Sequence, residues 1–253
     1  MPLLDTPWPP INEMIDLRPG SVTTVASLPT AGRSTFTLNM ALHNALKGTC
    51  TLYTSSEIDA ESLTEKAVSA LYGIDLRHRE APLGGWDVFS ARTKAEVVSL
   101  PLYLHAATQE TPEAAFEAGT VTSGQRGRKV RLWVLDSLAH FSPFVHADDG
   151  VWDFEQSMTQ LRRIAEREQM AIVVTACAEN QSEDELLTLE HVPSPVVKLS
   201  DQVLMLHREG AYWQNGPASD VAIVTRLKPE LEKPATLRFK PRLCRFSSLE
   251  IDI

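Results

Sequence analysis

Eight residues, Ser27-Leu-Pro-Thr-Ala-Gly-Arg-Ser34, carry most of what is needed to hold a phosphate group. The pattern for such a loop is G-x-x-x-x-G-K-[ST]. Gly32 and Ser34 fit it. Ser27 stands where the first glycine belongs and Arg33 where the lysine belongs. The chemistry of such a loop lies in backbone N–H groups and a helix N-terminus aimed at an anion, which both changes leave intact. Ser27, Pro29, Thr30, Ala31, Gly32, Arg33, Ser34 and Thr35 are therefore the candidate phosphate-binding residues. A lysine ammonium is compact, whereas a guanidinium is wide and planar but still binds phosphate well. Ser27 also lacks the conformational freedom of glycine at the first turn of the loop.

Two acids sit where such a loop needs them. Leu52-Tyr-Thr-Ser-Ser-Glu57 is a strand that runs into Glu57, and Leu132-Trp-Val-Leu-Asp136 is an apolar strand capped by Asp136. An acid at the carboxyl end of a parallel strand beside a phosphate loop can hold a divalent metal or activate a water. Taken alone, Asp136 reads equally as a turn or helix cap. Arg226 and Lys228 lie on a late strand, and two ordinary exposed charges is the plainer reading of them.

The elements that must position these residues alternate. Ser21–Ala26 is rich in β-branched residues and predicts a strand; Phe36, Leu38, Met40, Ala41 and Ala45 populate the helix after the loop. Further strands are expected at Cys50–Thr54, Leu102–His105, Val130–Leu135, Ala171–Ala176, Gln202–His207, Val221–Arg226 and Ala235–Phe239. Helices are expected from Asp59 to Leu71, with Asp59 as cap, from Thr111 to Ala118, with Thr111 as cap and Pro112 in the first turn, and from Val151 to Glu168. Residues 80–92, with Gly84-Gly85, and 179–197 read as loops. This order predicts an α/β fold, a mostly parallel sheet flanked by helices, with antiparallel strands added at the C-terminal edge.

Composition narrows the classes. The chain has 253 residues, 43% apolar and 23% charged, which suits one domain over 1–253 with a Pro-rich N-terminal extension at 1–20. No apolar run of about 18 residues predicts a membrane span, and the first residues lack the pattern of a signal peptide. Cys50, Cys177 and Cys244 lie far apart in apolar contexts and read as buried thiols of a cytoplasmic protein. The histidines show no metal-ligand spacing. A net charge of −9 argues against a surface that binds nucleic acid broadly. It leaves open a local basic groove from Arg126, Arg128 and Lys129, which reads equally as a solvated loop.

The order and spacing of these motifs resemble the RecA-type ATPase domain of the DnaB-type hexameric replicative helicases, over nearly the whole chain. PGSVTTVASLPTAGRSTFTLNMALHNA is similar to their phosphate-loop region, with a degenerate Walker A motif. LYTSSEIDAESLTEKAVSALYGIDLR is similar to the segment with their catalytic glutamate, and RLWVLDSL to their Walker B strand. DQVLMLHREGAY and VTRLKPELEKPATLRFKPRLCRF resemble their closing strands.

The resemblance implies a RecA-like P-loop NTPase core that stands alone, without the family's N-terminal helical domain. It implies ATP and Mg²⁺ as ligands, Ser34 and Asp136 as metal-holding residues, and Glu57 orienting the attacking water. Arg226 and Lys228 fall where the family has a lysine and an arginine finger, with the two basic types exchanged. A homo-oligomer, ring or head-to-tail, and a protein partner follow from the same likeness. One departure is plain. Cys177-Ala-Glu-Asn180 replaces the family's γ-phosphate-sensing glutamine, and Glu179–Glu190 is acidic where the family has a basic DNA-binding loop. Weak or absent binding of single-stranded DNA by this chain is expected. Two functions remain open: an ATP-binding helicase-like protein of DNA replication, recombination or a related process, or a non-catalytic interaction protein that keeps the fold.

Overall fold

The computed structural model describes residues 3–75, 86–107, 111–125, 127–141, 144–146, 151–179, 187–208, 220–231 and 233–248. The elements run α1 (Pro9–Asn12), β1 (Val22–Ser27), α2 (Arg33–Leu46), β2 (Thr51–Ser55), α3 (Ala60–Tyr72), α4 (Trp86–Ser99), β3 (Leu102–Ala106) and α5 (Pro112–Gln125). They continue with β4 (Leu132–Asp136), the short pair β5 (Phe144–His146) and β6 (Val151–Trp152), α6 (Phe154–Glu168), β7 (Ala171–Cys177) and α7 (Ser194–Leu199). The chain closes on β8 (Gln202–His207), β9 (Val221–Lys228), β10 (Ala235–Lys240) and β11 (Arg245–Ser248).

Among the described residues nine strands form one sheet in the order β11-β10-β9-β8-β1-β7-β4-β2-β3. Strands β8, β1, β7, β4, β2 and β3 pair in parallel; β9, β10 and β11 add antiparallel. This is the α/β architecture expected, with antiparallel strands at the C-terminal edge.

The central strands are buried on both faces, so their alternate side chains feed two cores. On β4, Val134 joins one core with Tyr53, Val173, Phe36 and Met40, under α2 and α3. Its neighbours Trp133 and Leu135 join the other with Ile172, Met158, Leu161 and Ile164, under α5 and α6. Helix α6 shows the spacing expected of it, its buried residues being Ser157, Met158, Leu161, Ile164 and Ala165. Two caps fall where the sequence places them. The Asp59 carboxylate accepts from the Ser62 N–H at 2.8 Å, and Thr111 Oγ1 accepts from the Ala114 N–H at 3.3 Å.

Several expectations need correction. Residues 86–92 belong to α4, not to a loop; it packs its Val97 with Ala67 and Val68 of α3, a contact too weakly patterned to read from its own residues. Helix α5 runs on to Gln125, and α6 starts at Phe154, because Val151 and Trp152 pair with 144–146 instead. The stretch 187–199 holds a 3₁₀ turn at Leu189–His191 and helix α7. Residues 80–85, Arg126 and residues 180–186 lie outside the described residues.

The N-terminal extension is part of the core. Trp8 stacks on Phe36 of α2 with centroids 4.5 Å apart, and its Nε1 donates to the Phe246 carbonyl of β11 at 3.1 Å. Trp8, Ile11, Met14 and Leu17 are all buried. Trp8→Ala removes this packing and leaves a cavity, at a cost of about 3–5 kcal/mol. Urea unfolding should show that loss; an unchanged midpoint would mean that residues 3–20 lie outside the cooperative unit.

Candidate functional site

The loops after β1, β2, β4 and β7 open on one edge of the sheet, the carboxyl ends of its parallel strands. Ligands of open α/β sheets bind at that edge. Ser27 ends β1, and its Oγ donates to the Leu28 carbonyl at 2.8 Å. The loop then turns back through two left-handed residues, Thr30 at φ 65° and Gly32 at φ 100°. Gly32 is needed for a second reason: a Cβ there would meet the Phe246 ring at 3.0 Å and the Phe239 ring at 3.1 Å. Gly32 is also the N-cap of α2, and no side chain caps that helix. The first-turn N–H groups are thus left to a ligand or to water.

Arg33 turns inward. Its Nη1 donates to the Ala176 carbonyl at 2.8 Å and to the Ser27 carbonyl at 3.1 Å, at the ends of β7 and β1. Its Nε is buried and has no hydrogen-bond partner among the described residues. Among the described residues no carboxylate pairs with this guanidinium. The charge is held by carbonyl dipoles alone, beneath an uncapped helix N-terminus.

A second cation grips the loop from outside. Arg208 donates from Nη2 to the Thr30 carbonyl at 2.7 Å and from Nε to the Ala31 carbonyl at 3.4 Å. Its guanidinium lies 4.8 Å from the centroid of the Phe239 ring.

Asp136, only 2% exposed, is tied by both oxygens. Oδ1 accepts from Thr175 Oγ1 of β7 at 2.6 Å, and Oδ2 accepts from the Tyr53 hydroxyl of β2 at 2.8 Å. The Tyr53 hydroxyl also lies 3.2 Å from the Ser34 carbonyl in the first turn of α2. Asp136 and Ser34 are thus joined through one phenol. Burial holds the Tyr53 phenol well above its ordinary value, and the Asp136 charge adds to this; the Thr37 hydrogen bond and the Arg33 charge oppose it.

Glu57 follows β2 and is half exposed, its Oε1 3.4 Å from His140 Nε2. The Ser56 N–H donates to the Asp136 carbonyl at 2.8 Å, which brings the ends of β2 and β4 together. Ser27–Thr35, Asp136 and Glu57 therefore share one edge. Arg226 and Lys228 lie on β9, two strands from β1. Arg226 Nη1 donates to the Met14 carbonyl at 2.9 Å. Lys228 Nζ donates to the carbonyls of Ser200 at 2.6 Å, Val197 at 2.7 Å and Lys198 at 3.3 Å, closing the C-terminal end of α7.

Tyr53, Thr175, Arg208 and His140 are missed by the sequence reading. Tyr53 and Thr175 are signalled only as polar atoms within otherwise apolar strands. Arg208 directly follows a strand, a position without a motif. The cysteines differ from expectation: Cys50 is buried, but Cys177 is exposed because it is the last residue of β7, and Cys244 is intermediate. Among the described residues no group of His, Cys, Asp or Glu could hold a metal by itself, and no helix is long and apolar enough to cross a membrane.

Comparison with known proteins places this edge in context. No protein-family profile matches the chain. A replicative DNA helicase DnaB from Leifsonia xyli subsp. xyli is 22% identical over 246 residues, 92% of this chain. The chain spans about half the length, 53%, of that relative. Among solved structures, a DnaB-like replicative helicase studied for its interactions with primase superposes with a TM-score of 0.84 at 13% identity, covering 99% of this chain and 64% of that one. A second solved structure, an ATPase domain, gives 0.75 at 14% identity over 92% of this chain and 86% of that one. The RadB recombinase gives 0.62 at 16% identity over 98% and 100%. The chain therefore has a RecA-type α/β fold, and its sequence is similar to that of a DnaB replicative helicase.

Tyr53→Phe tests the tie between Asp136 and α2. It leaves one carboxylate oxygen without its donor and should cost about 1–3 kcal/mol near neutral pH. Because the folded-state value of Tyr53 is raised, its contribution is complete below the ordinary phenol value of about 10 and is lost as pH climbs beyond it. The stability gap between wild type and variant should therefore narrow above pH ~10 in denaturant titrations. A gap that stays constant or widens would contradict the arrangement.

Proposed function

We propose that this chain is an ATP-binding, DnaB helicase-like protein of DNA replication, recombination or a related cytoplasmic process, and that it hydrolyses ATP slowly. One observation carries the reading. Arg33 brings a positive charge into the phosphate loop, no carboxylate among the described residues neutralises it, and the helix N-terminus above it is uncapped. A partly buried charge without a counter-ion is costly, and an arriving phosphate would offset that cost.

The residues present fit the ligands this fold implies. The loop N–H groups and Arg33 would face the phosphates. Ser34 and Asp136, linked through Tyr53, would hold Mg²⁺, with Asp136 acting through water because both its oxygens already accept hydroxyl protons. Bound Mg²⁺ would neutralise charge on the β- and γ-phosphates. Glu57, exposed on the same edge, would accept a proton from water. Slow hydrolysis follows from Arg33. Its Nη1 is spent on the carbonyls of Ser27 and Ala176, so it would have to leave them to follow charge toward the γ-phosphate.

The second reading is a non-catalytic interaction protein, and one observation favours it. Arg226 and Lys228 are engaged inside the chain, which leaves neither extended toward a neighbouring subunit. Under the first reading the chain assembles head to tail, with one of them reaching the neighbour's nucleotide. Under either reading, the acidic composition of Glu179–Glu190 supports weak binding of single-stranded DNA.

Calorimetric titration with Mg·ATP, beside a phosphate-release assay, tests the proposal. Binding should be saturable, and Arg33→Ala should weaken it about ten- to hundredfold, the worth of a hydrogen bond to a charged group. Arg33→Lys should keep binding and raise turnover. Absence of a binding signal in the wild-type chain would overturn the proposal.

A further inference from the structure

A cavity of about 500 Å³ lies at the opposite edge of the sheet. Its wall includes Pro19 just before β1, Thr49 and Cys50 just before β2, and Arg131 just before β4. Those are the amino ends of parallel strands. At about 3.3 Å per residue, the length of β1 separates them from the phosphate loop by roughly 20 Å. The cavity is therefore independent of the nucleotide site.

Its chemistry is divided. One wall is apolar, built from Leu4 and Leu17. The other carries cations, of which two are already committed: Arg18 pairs with Asp16 at 3.0 Å and Lys129 with Glu168 at 3.7 Å. The side chains of Arg128 and Arg131 have neither an ion pair nor a hydrogen bond among the described residues. Both lie close enough to Cys50 that, while burial pushes its thiol up, their charges pull it back. Thr49 lines the same cavity; its Oγ1 is buried and has no hydrogen-bond partner among the described residues. Two guanidiniums uncommitted among the described residues and an aliphatic wall are thus gathered in one concavity.

We propose that this cavity docks an acidic, leucine-type peptide segment of a partner protein. Carboxylates would pair with Arg128 and Arg131, where a guanidinium can offer two parallel N–H donors. The adjoining aliphatic side chain would lie on Leu4 and Leu17. A nucleic-acid backbone fits less well: it has no use for the apolar wall of Leu4 and Leu17.

The test is fluorescence anisotropy with a short labelled peptide alternating glutamate and leucine, titrated with the whole chain. Saturable binding is expected. It should weaken with added salt and fall about tenfold or more in the Arg128→Glu/Arg131→Glu double variant. Arg128 is exposed and Arg131 half-buried, and a thermal melt of the variant checks that it folds. A peptide alternating lysine and leucine should not bind. No saturable binding, or an unchanged affinity in the folded double variant, would overturn the proposal. So would a thymidine oligonucleotide that displaces the peptide through the same arginines, which would make the cavity a nucleic-acid contact. The Mg·ATP titration of the double variant should match the wild type's, so the outcome here is separate from that of the nucleotide reading.

Discussion

A guanidinium held, among the described residues, by carbonyls alone is the constraint on which the candidate site depends. Arg33 reaches the Ser27 carbonyl at the end of β1 and the Ala176 carbonyl near the end of β7 because those strands pair in parallel, with Ser27 opposite Cys177. The loop must therefore fold over the side chain that follows it, through left-handed Thr30 and Gly32. A Cβ at Gly32 has no room against Phe239 and Phe246, so the antiparallel strands β10 and β11 help fix the loop. Arg208 completes the enclosure from the side of β8. Three parts of the sheet distant in sequence thus converge on one short loop, and its shape cannot change without disturbing them.

Asp136 supplies the second constraint, and it is cooperative with the first. Its two oxygens gather hydroxyls from β2 and β7, and the Tyr53 phenol passes the connection on to the first turn of α2. A buried carboxylate is tolerated because both oxygens are satisfied. The same network places a negative charge close to the Ser27–Ser34 loop without pairing it to Arg33. Glu57 stands apart from this network, exposed and beside His140, where it can meet solvent.

Much of the fold is legible in the sequence, because the central strands are apolar, β-branched and separated by capped helices. The strand–loop–helix at 21–46, the strand ending in Asp136 and the periodicity of α6 need no tertiary information. What the sequence hides is decided by tertiary contact. Helix α4 has no strong apolar face of its own, and β11 is a short strand that exists because β10 offers it an edge. The extension at 3–20 looks like a Pro-rich lead, yet Trp8 and Ile11 finish the core over α2. At the site, Ser27–Ser34, Asp136 and Glu57 are marked by motif, whereas Tyr53, Thr175 and Arg208 are marked only by partners from other strands. Arg226 and Lys228 show the converse: residue type and position suggest a role between subunits, while the geometry gives each a partner inside the chain.

The central claim is that Arg33 is an unneutralised cation waiting for an anion, and its Nε–H reports on that directly. Nitrogen-15 NMR of the arginine side chains, with the Arg33 signal assigned by its loss in Arg33→Lys, follows that group during a titration with Mg·ATP. The account predicts that the Arg33 Nε–H resonance moves saturably, in step with binding measured by calorimetry, because an arriving phosphate changes the field at the guanidinium. A resonance that stays in place at saturating nucleotide would contradict it.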